Sequence, residues 1–121
     1  METINTSNDE LERIVELSYL YDFYGALLKE KNQEIFEDYV LNDLSLGEIA
    51  AEREITRQGV YDVVRRCSMK LFEYEKKLHL VEKFRMTREK MNEIEQIAMK
   101  CDDTADMKEI LRLTHDIYDF I

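Results

Sequence analysis

Apolar positions repeat at three- and four-residue steps along nearly the whole chain. Leu11, Ile14, Val15, Ser18, Tyr21, Tyr24 and Leu28 mark the inward face of a first amphipathic helix. Ser7 and Glu10 stand at the spacing of a capping box, which places its start near Asp9. After a break at Lys29-Glu30-Lys31, Ile35, Phe36, Tyr39 and Val40 share one face of a second helix, and Asn42-Asp43 reads as a turn. Ser45 with Glu48 forms another capping box, opening a short helix through Leu46, Ile49 and Ala50. Thr56 caps the next helix, which carries Val60, Val63 and Val64 inward. Tyr21, Phe36, Tyr39, Ile49 and Val60 are the expected core of this four-helix assembly.

Only Arg53, Glu54 and Ile55 separate the two hydroxyl-capped helices, the short turn of a helix-turn-helix. In that motif the second helix presents its first side chains to the DNA major groove. The candidate nucleic-acid-binding residues are therefore Arg57, Gln58, Tyr61 and Asp62, with Arg65 and Arg66 one turn on.

Beyond the motif the pattern changes. Val60, Val64, Cys67, Leu71, Tyr74, Leu78 and Val81 follow in alternating steps of four and three, a heptad seam. No proline or glycine interrupts residues 60–84, so the pattern predicts one helix over residues 57–82, about 39 Å long. Met91, Ile94, Ala98 and Cys101 form a further stripe. Asp102-Asp103-Thr104 reads as a turn and cap, and Met107, Ile110, Leu111, Thr114, Ile117, Tyr118 and Ile121 as a last helical face. These stripes can pair as a hairpin within the chain or across a homodimer. The expected organisation is a helix-turn-helix bundle with its long helix over residues 1–83 and a helical, dimerising extension over residues 84–121.

Composition supports an all-α fold. The chain has no proline and only three glycines, with 45% hydrophobic residues and no clean period-two alternation. No apolar run is long enough to span a membrane, and the polar, acidic start is not a secretory signal. Two distant cysteines, Cys67 and Cys101, read as free thiols of a cytoplasmic protein.

Charge is unevenly spread. Residues 1–44 hold 11 acids and 3 bases, residues 45–90 hold 8 acids and 11 bases, and residues 91–121 hold 8 acids and 3 bases. The basic middle coincides with the helix-turn-helix, as phosphate neutralisation requires. Its modest excess favours two copies acting together; a solvated basic face is the plain alternative.

Arg57 has the geometry to pair with guanine, Gln58 with adenine and Asp62 with the cytosine amine. Arg65 and Arg66 suit phosphates. Asp62 also repels phosphate, and all six suit an exposed, well-capped helix. His79 and His115 lack the converging partners a metal needs, so no metal or other cofactor is expected. No nucleophile elbow or phosphate-cradling glycine loop is present, which argues against an enzyme.

Four stretches resemble the YlxM family of small helical proteins from Gram-positive bacteria. They are Tyr21-Asp22-Phe23-Tyr24, residues 43–50, Thr56-Arg57-Gln58-Gly59-Val60-Tyr61-Asp62, and residues 74–80. The resemblance covers roughly residues 15–84, and the core is also similar to region 4 of bacterial sigma factors. It implies a sigma-region-4-like bundle with a long recognition helix and additional C-terminal helices. It also implies a regulatory role in the signal recognition particle pathway, beside whose genes the family's genes commonly sit. Duplex DNA or RNA and the particle's protein subunit are the implied partners. A sequence-specific transcription regulator unrelated to targeting is the competing reading. The chain departs from the family at three points. Gly59 replaces an alanine, Lys29 replaces a hydroxyl cap, and Arg53 replaces an aromatic, which loosens the turn or adds a phosphate contact.

Overall fold

The computed structural model describes residues 6–101 and 104–120; the side chains of residues 6–8 and 120 fall outside that description. The cap expected of Ser7, the Asp102-Asp103 turn and Ile121 therefore lie outside the described residues. Among them the chain is helical, with no strand. The elements are α1 (Thr6–Tyr24), a 3-10 turn (Gly25–Leu27), α2 (Glu30–Val40), α3 (Leu46–Arg53), α4 (Arg57–Leu78), α5 (Leu80–Met99) and α6 (Thr104–Phe120). They form two compact units, Met1–His79 and Leu80–Ile121.

In the first unit α4 packs against α1, α2 and α3. Ile35, Ile49, Ala50 and Val60 form one buried cluster, with Tyr39, Leu44, Leu46, Val63 and Val64 packed around it. Phe36 is fully buried and meets the Tyr21 ring at 5.5 Å between centroids. Tyr21 itself is only half-buried and donates to the Glu37 carboxylate; burial, then that carboxylate, pushes its phenol pKa up. Gly25 is required here, because a Cβ at this position would sit 2.7 Å from the Tyr21 ring. Tyr24 binds α1 to α4 by donating to Glu75 Oε1 at 2.6 Å.

The face of α1 matches the expected one only in part: Tyr24 and Leu28 are buried as expected and Ile14, Ser18 and Tyr21 half-buried, but Leu11 and Val15 are not. Its core contacts are Leu17, Leu20 and Tyr24, with Leu28 just beyond, all buried. Leu11 and Val15 are 60% and 54% exposed and point away from the core. This helix carries apolar residues on both sides, so periodicity alone admits two inward faces, and packing against α2 and α4 selects one.

The heptad seam also ends differently. Helix α4 stops at Leu78 because His79 adopts a left-handed conformation, φ 56°, while its N–H still closes on Glu75 O at 2.8 Å. Val81 therefore belongs to the next helix and unit. Val60, Cys67 and Leu71 are buried within the first unit, and Leu78 is 46% exposed. Most of the seam is thus spent inside the bundle rather than left open for a second chain.

In the second unit α5 packs against α6 as a helical pair. Met91, Ala98 and Thr114 are buried, and Thr114 Oγ1 donates to Ile110 O at 2.7 Å. Arg88 lies over the rings of Phe84 and Tyr118, bridging the two helices.

One polar lock fixes the helix-turn-helix to its support. Arg53, the last residue of α3, donates from Nε and Nη2 to Asp38 Oδ2 at 3.0 and 2.9 Å, and from Nη1 to Glu34 at 3.2 Å. Asp38 is buried on α2, and its other oxygen accepts from Asn42 at 3.2 Å. Arg53 therefore tightens the turn and is committed to carboxylates rather than to phosphate. Arg53→Ala leaves the buried Asp38 without its cation, and we expect a loss of about 1–3 kcal/mol in urea unfolding. Glu34→Ala, at the exposed partner, should cost less than about 1 kcal/mol. Equal losses from the two substitutions would show that the buried half of the cluster is not the lock.

Candidate nucleic-acid interface

The helix-turn-helix is built from two complete caps. Ser45 Oγ accepts from Glu48 N at 3.1 Å, and Glu48 Oε1 accepts from Ser45 N at 2.9 Å. The Ser45 backbone bond, then its hydroxyl, holds the Glu48 carboxyl below its ordinary range. This box is therefore complete above the ordinary glutamate pKa and is lost as pH falls through the lowered one. Helix α3 closes at Glu54, which adopts a left-handed conformation with φ 56°. Its N–H and that of Ile55 both turn back to Ala50 O. Thr56 then opens α4, its Oγ1 accepting from Gly59 N at 2.9 Å. A Cβ on Gly59 would lie 3.1 Å from that hydroxyl, so glycine leaves room for the cap.

These caps aim the first turns of α4 outward. Arg57, Gln58, Tyr61, Asp62, Arg65 and Arg66 are all exposed, whereas Val60 on the opposite side is fully buried. Two of the six are not independent: Gln58 Nε2 donates to Asp62 Oδ1 at 3.0 Å. That bond draws the carboxylate along the helix and leaves the Gln58 carbonyl as an acceptor. Arg66 Nε leans back on Asp62 O at 3.4 Å, a weak contact that leaves its outer nitrogens to donate elsewhere. The exposed Lys70 continues the basic edge one turn beyond.

The structure adds a residue that periodicity did not single out. Arg13 of α1 lines a cleft of about 330 Å³ together with Tyr61 and Arg65 of α4. Its guanidinium sits 5.8 Å from the centre of the Phe72 ring. A lone cation in an acidic segment carries no sequence signal for this placement; only the packing of α1 on α4 puts it there. Glu10 lines the same cleft and opposes any anion entering it. Cys67 lies behind the basic face, and burial pushes its thiol pKa up despite Lys70 and Arg66 nearby. It is thus a packing residue rather than a nucleophile.

The arrangement is chemically simple. Arginines present planar donor forks to phosphate or guanine, an exposed phenol supplies a stacking surface, and the caps hold the helix end rigid. Among the described residues no helix is long and apolar enough to cross a membrane.

Comparison with known proteins agrees with this geometry. The pattern of the UPF0122 family, described as "Putative helix-turn-helix protein, YlxM / p13 like", matches residues 11–111. It extends well past residue 84, into the region where the motifs had run out. The chain is 43% identical over 88 residues to the UPF0122 protein YlxM of Bacillus subtilis, covering 73% of this chain and 80% of that one. It is 54% identical over 81 residues to a UPF0122 protein of Caldanaerobacter subterraneus, covering 67% of each. A UPF0122 protein of Halalkalibacterium halodurans is 41% identical over 108 residues, covering 88% of this chain and 95% of the relative. With a capped helix-turn-helix and the family pattern running through both units, the chain belongs to the UPF0122 family of YlxM/p13-like helix-turn-helix proteins.

Proposed function

We propose that this protein is a regulatory accessory of the signal recognition particle pathway that contacts nucleic acid through α4 and works as a homodimer. The observation that carries the nucleic-acid part is the exposed face of α4, with Arg57, Arg65 and Arg66 beside Tyr61 on a rigidly capped helix. The pathway part rests on the YlxM resemblance. Charge layout supports it: the acidic clusters at Asp9–Glu16 and Asp102–Asp106 suit a basic, RNA-binding protein surface better than nucleic acid. We expect salt-sensitive binding to the particle's protein subunit, alone or with its RNA, and altered GTP turnover on binding. No binding at low or physiological salt, with GTP turnover unchanged, would remove the direct role.

A sequence-specific DNA regulator is the second reading, favoured by the paired caps that present Arg57 and Gln58 as base-reading groups. Under either reading, Arg57→Ala should cost about 1–3 kcal/mol at one base position if duplex DNA is read directly. Arg66→Ala should weaken all sequences alike and flatten the salt dependence. Identical, salt-insensitive binding by wild type and both variants would exclude this face as the interface.

Dimerisation is assigned to the second unit. Ile94 and Ile97 of α5 and Leu113 and Ile117 of α6 are 41–66% exposed, at three- and four-residue steps on their helices. Ile97→Asp with Ile117→Asp should shift the mass from dimer to monomer in light scattering, with helicity retained. A wild-type monomer at high micromolar concentration would leave α5 and α6 as a hairpin serving another purpose.

A further inference from the structure

Helix α1 has an apolar face that the bundle does not use. Leu11 and Val15 stand four residues apart on the side opposite Leu17, Leu20 and Tyr24, and both are more than half exposed. Ile14, Val15, Ser18, Tyr19 and Asp22 of α1 line a groove of about 440 Å³ whose other wall is Val40, near the end of α2. Leu41, 49% exposed, follows directly after that wall. A solvent-facing helix of a small bundle ordinarily shows charge at these positions. Here the charge flanks the stripe instead: Glu12 and Glu16 run along one side, Asp9 precedes it and Asp22 stands in its line. The only cation of this segment, Arg13, is turned to the other side, against Phe72.

From Leu11 to Asp22 the stripe is about 16 Å long, roughly three helical turns. A groove between two helices, lined by Ile14, Val15, Tyr19 and Val40 together with Ser18 and Asp22, with Leu11 beside it, fits a helix laid into it with matching apolar anchors. We propose that this groove is the docking site for a basic amphipathic helix of a partner protein. A second copy of this chain fits poorly. Stacking α1 on α1 would bring Glu12, Glu16 and Asp22 against their like. A partner helix with lysine or arginine flanking leucine-type anchors meets both features: the anchors cover Leu11 and Val15, and the cations meet the acidic rim. The site lies on the side of α1 away from Arg13, so protein docking and nucleic-acid contact through α4 use different surfaces. The inference rests on the reading of the protein as an accessory acting through protein contacts, and it names the surface and the chemistry of that contact.

The test uses the full-length chain immobilised on a sensor surface. The probes are a synthetic amphipathic helix of leucine and lysine, its leucine–glutamate counterpart, and the particle's protein subunit. Wild type should bind the lysine helix, more weakly as salt rises, and should not bind the glutamate helix. Leu11→Ser with Val15→Ser should weaken binding about tenfold or more, at unchanged helicity. Glu12→Gln with Glu16→Gln should act mainly on the association rate, since rim charges act on encounter. Equal binding of the two peptides, or a double-serine variant that binds like wild type, would overturn the proposal. So would sedimentation showing a wild-type dimer that the double-serine substitution dissolves, which would give the face to a second copy. Subunit binding that ignores the double-serine substitution would reject the groove and keep the accessory role. Peptide binding without subunit binding would keep the groove and reject that partner.

Discussion

The burial of Ile49 and Val60 against Ile35 is the constraint on which the helix-turn-helix depends. Each side chain comes from a different helix, and each is at most 2% exposed. Full burial of such a side chain contributes about 1.5–3 kcal/mol, so the cluster sets the crossing of α2, α3 and α4 more firmly than any surface contact. Arg53 adds direction to that force. Apolar contact alone tolerates some sliding, whereas a guanidinium held by Asp38 and Glu34 has one good position. The exposed face of α4 inherits its orientation from these contacts on its opposite side.

The two faces of α1 show how one element serves two demands. Leu17, Leu20 and Tyr24 close the core, and Tyr24 reaches Glu75, tying the first helix to the far end of α4. Leu11 and Val15 do nothing for that core. Keeping such residues in water brings no stability to the isolated chain, and the proposed docking of a partner helix would cover them. The charge of the segment acts in the same sense: acids flank the outward stripe, and Arg13 faces the cleft beside Arg65.

On α4 the distribution of charge narrows the chemistry. The basic residues lie on the exposed face beside one acid, Asp62, which Gln58 holds by a side-chain hydrogen bond. The acidic flanks of the chain oppose phosphate at long range, and salt screens this beyond about a Debye length. The proposed contact with nucleic acid through this face would therefore depend on short-range geometry, and a second copy would add to it.

Much of the architecture was legible in the residue pattern. Ser45 with Glu48 and Thr56 with Gly59 locate both helices of the motif, because hydroxyl caps act locally and need no tertiary partner. The spacing of Ile49, Val60 and Val64 fixes which side of each faces in. Three features were decided only in three dimensions. His79 ends α4 without glycine or proline; a left-handed non-glycine residue leaves no compositional trace. Helix α1 has two apolar faces, and only the packing of α2 and α4 against it determines which is core. Arg53 reads as a spare cation at a turn until α2 brings Asp38, fifteen positions earlier in sequence, within hydrogen-bonding distance. Local hydrogen bonds and periodic burial are written into neighbouring residues, whereas the pairing of distant side chains exists only once the helices have packed.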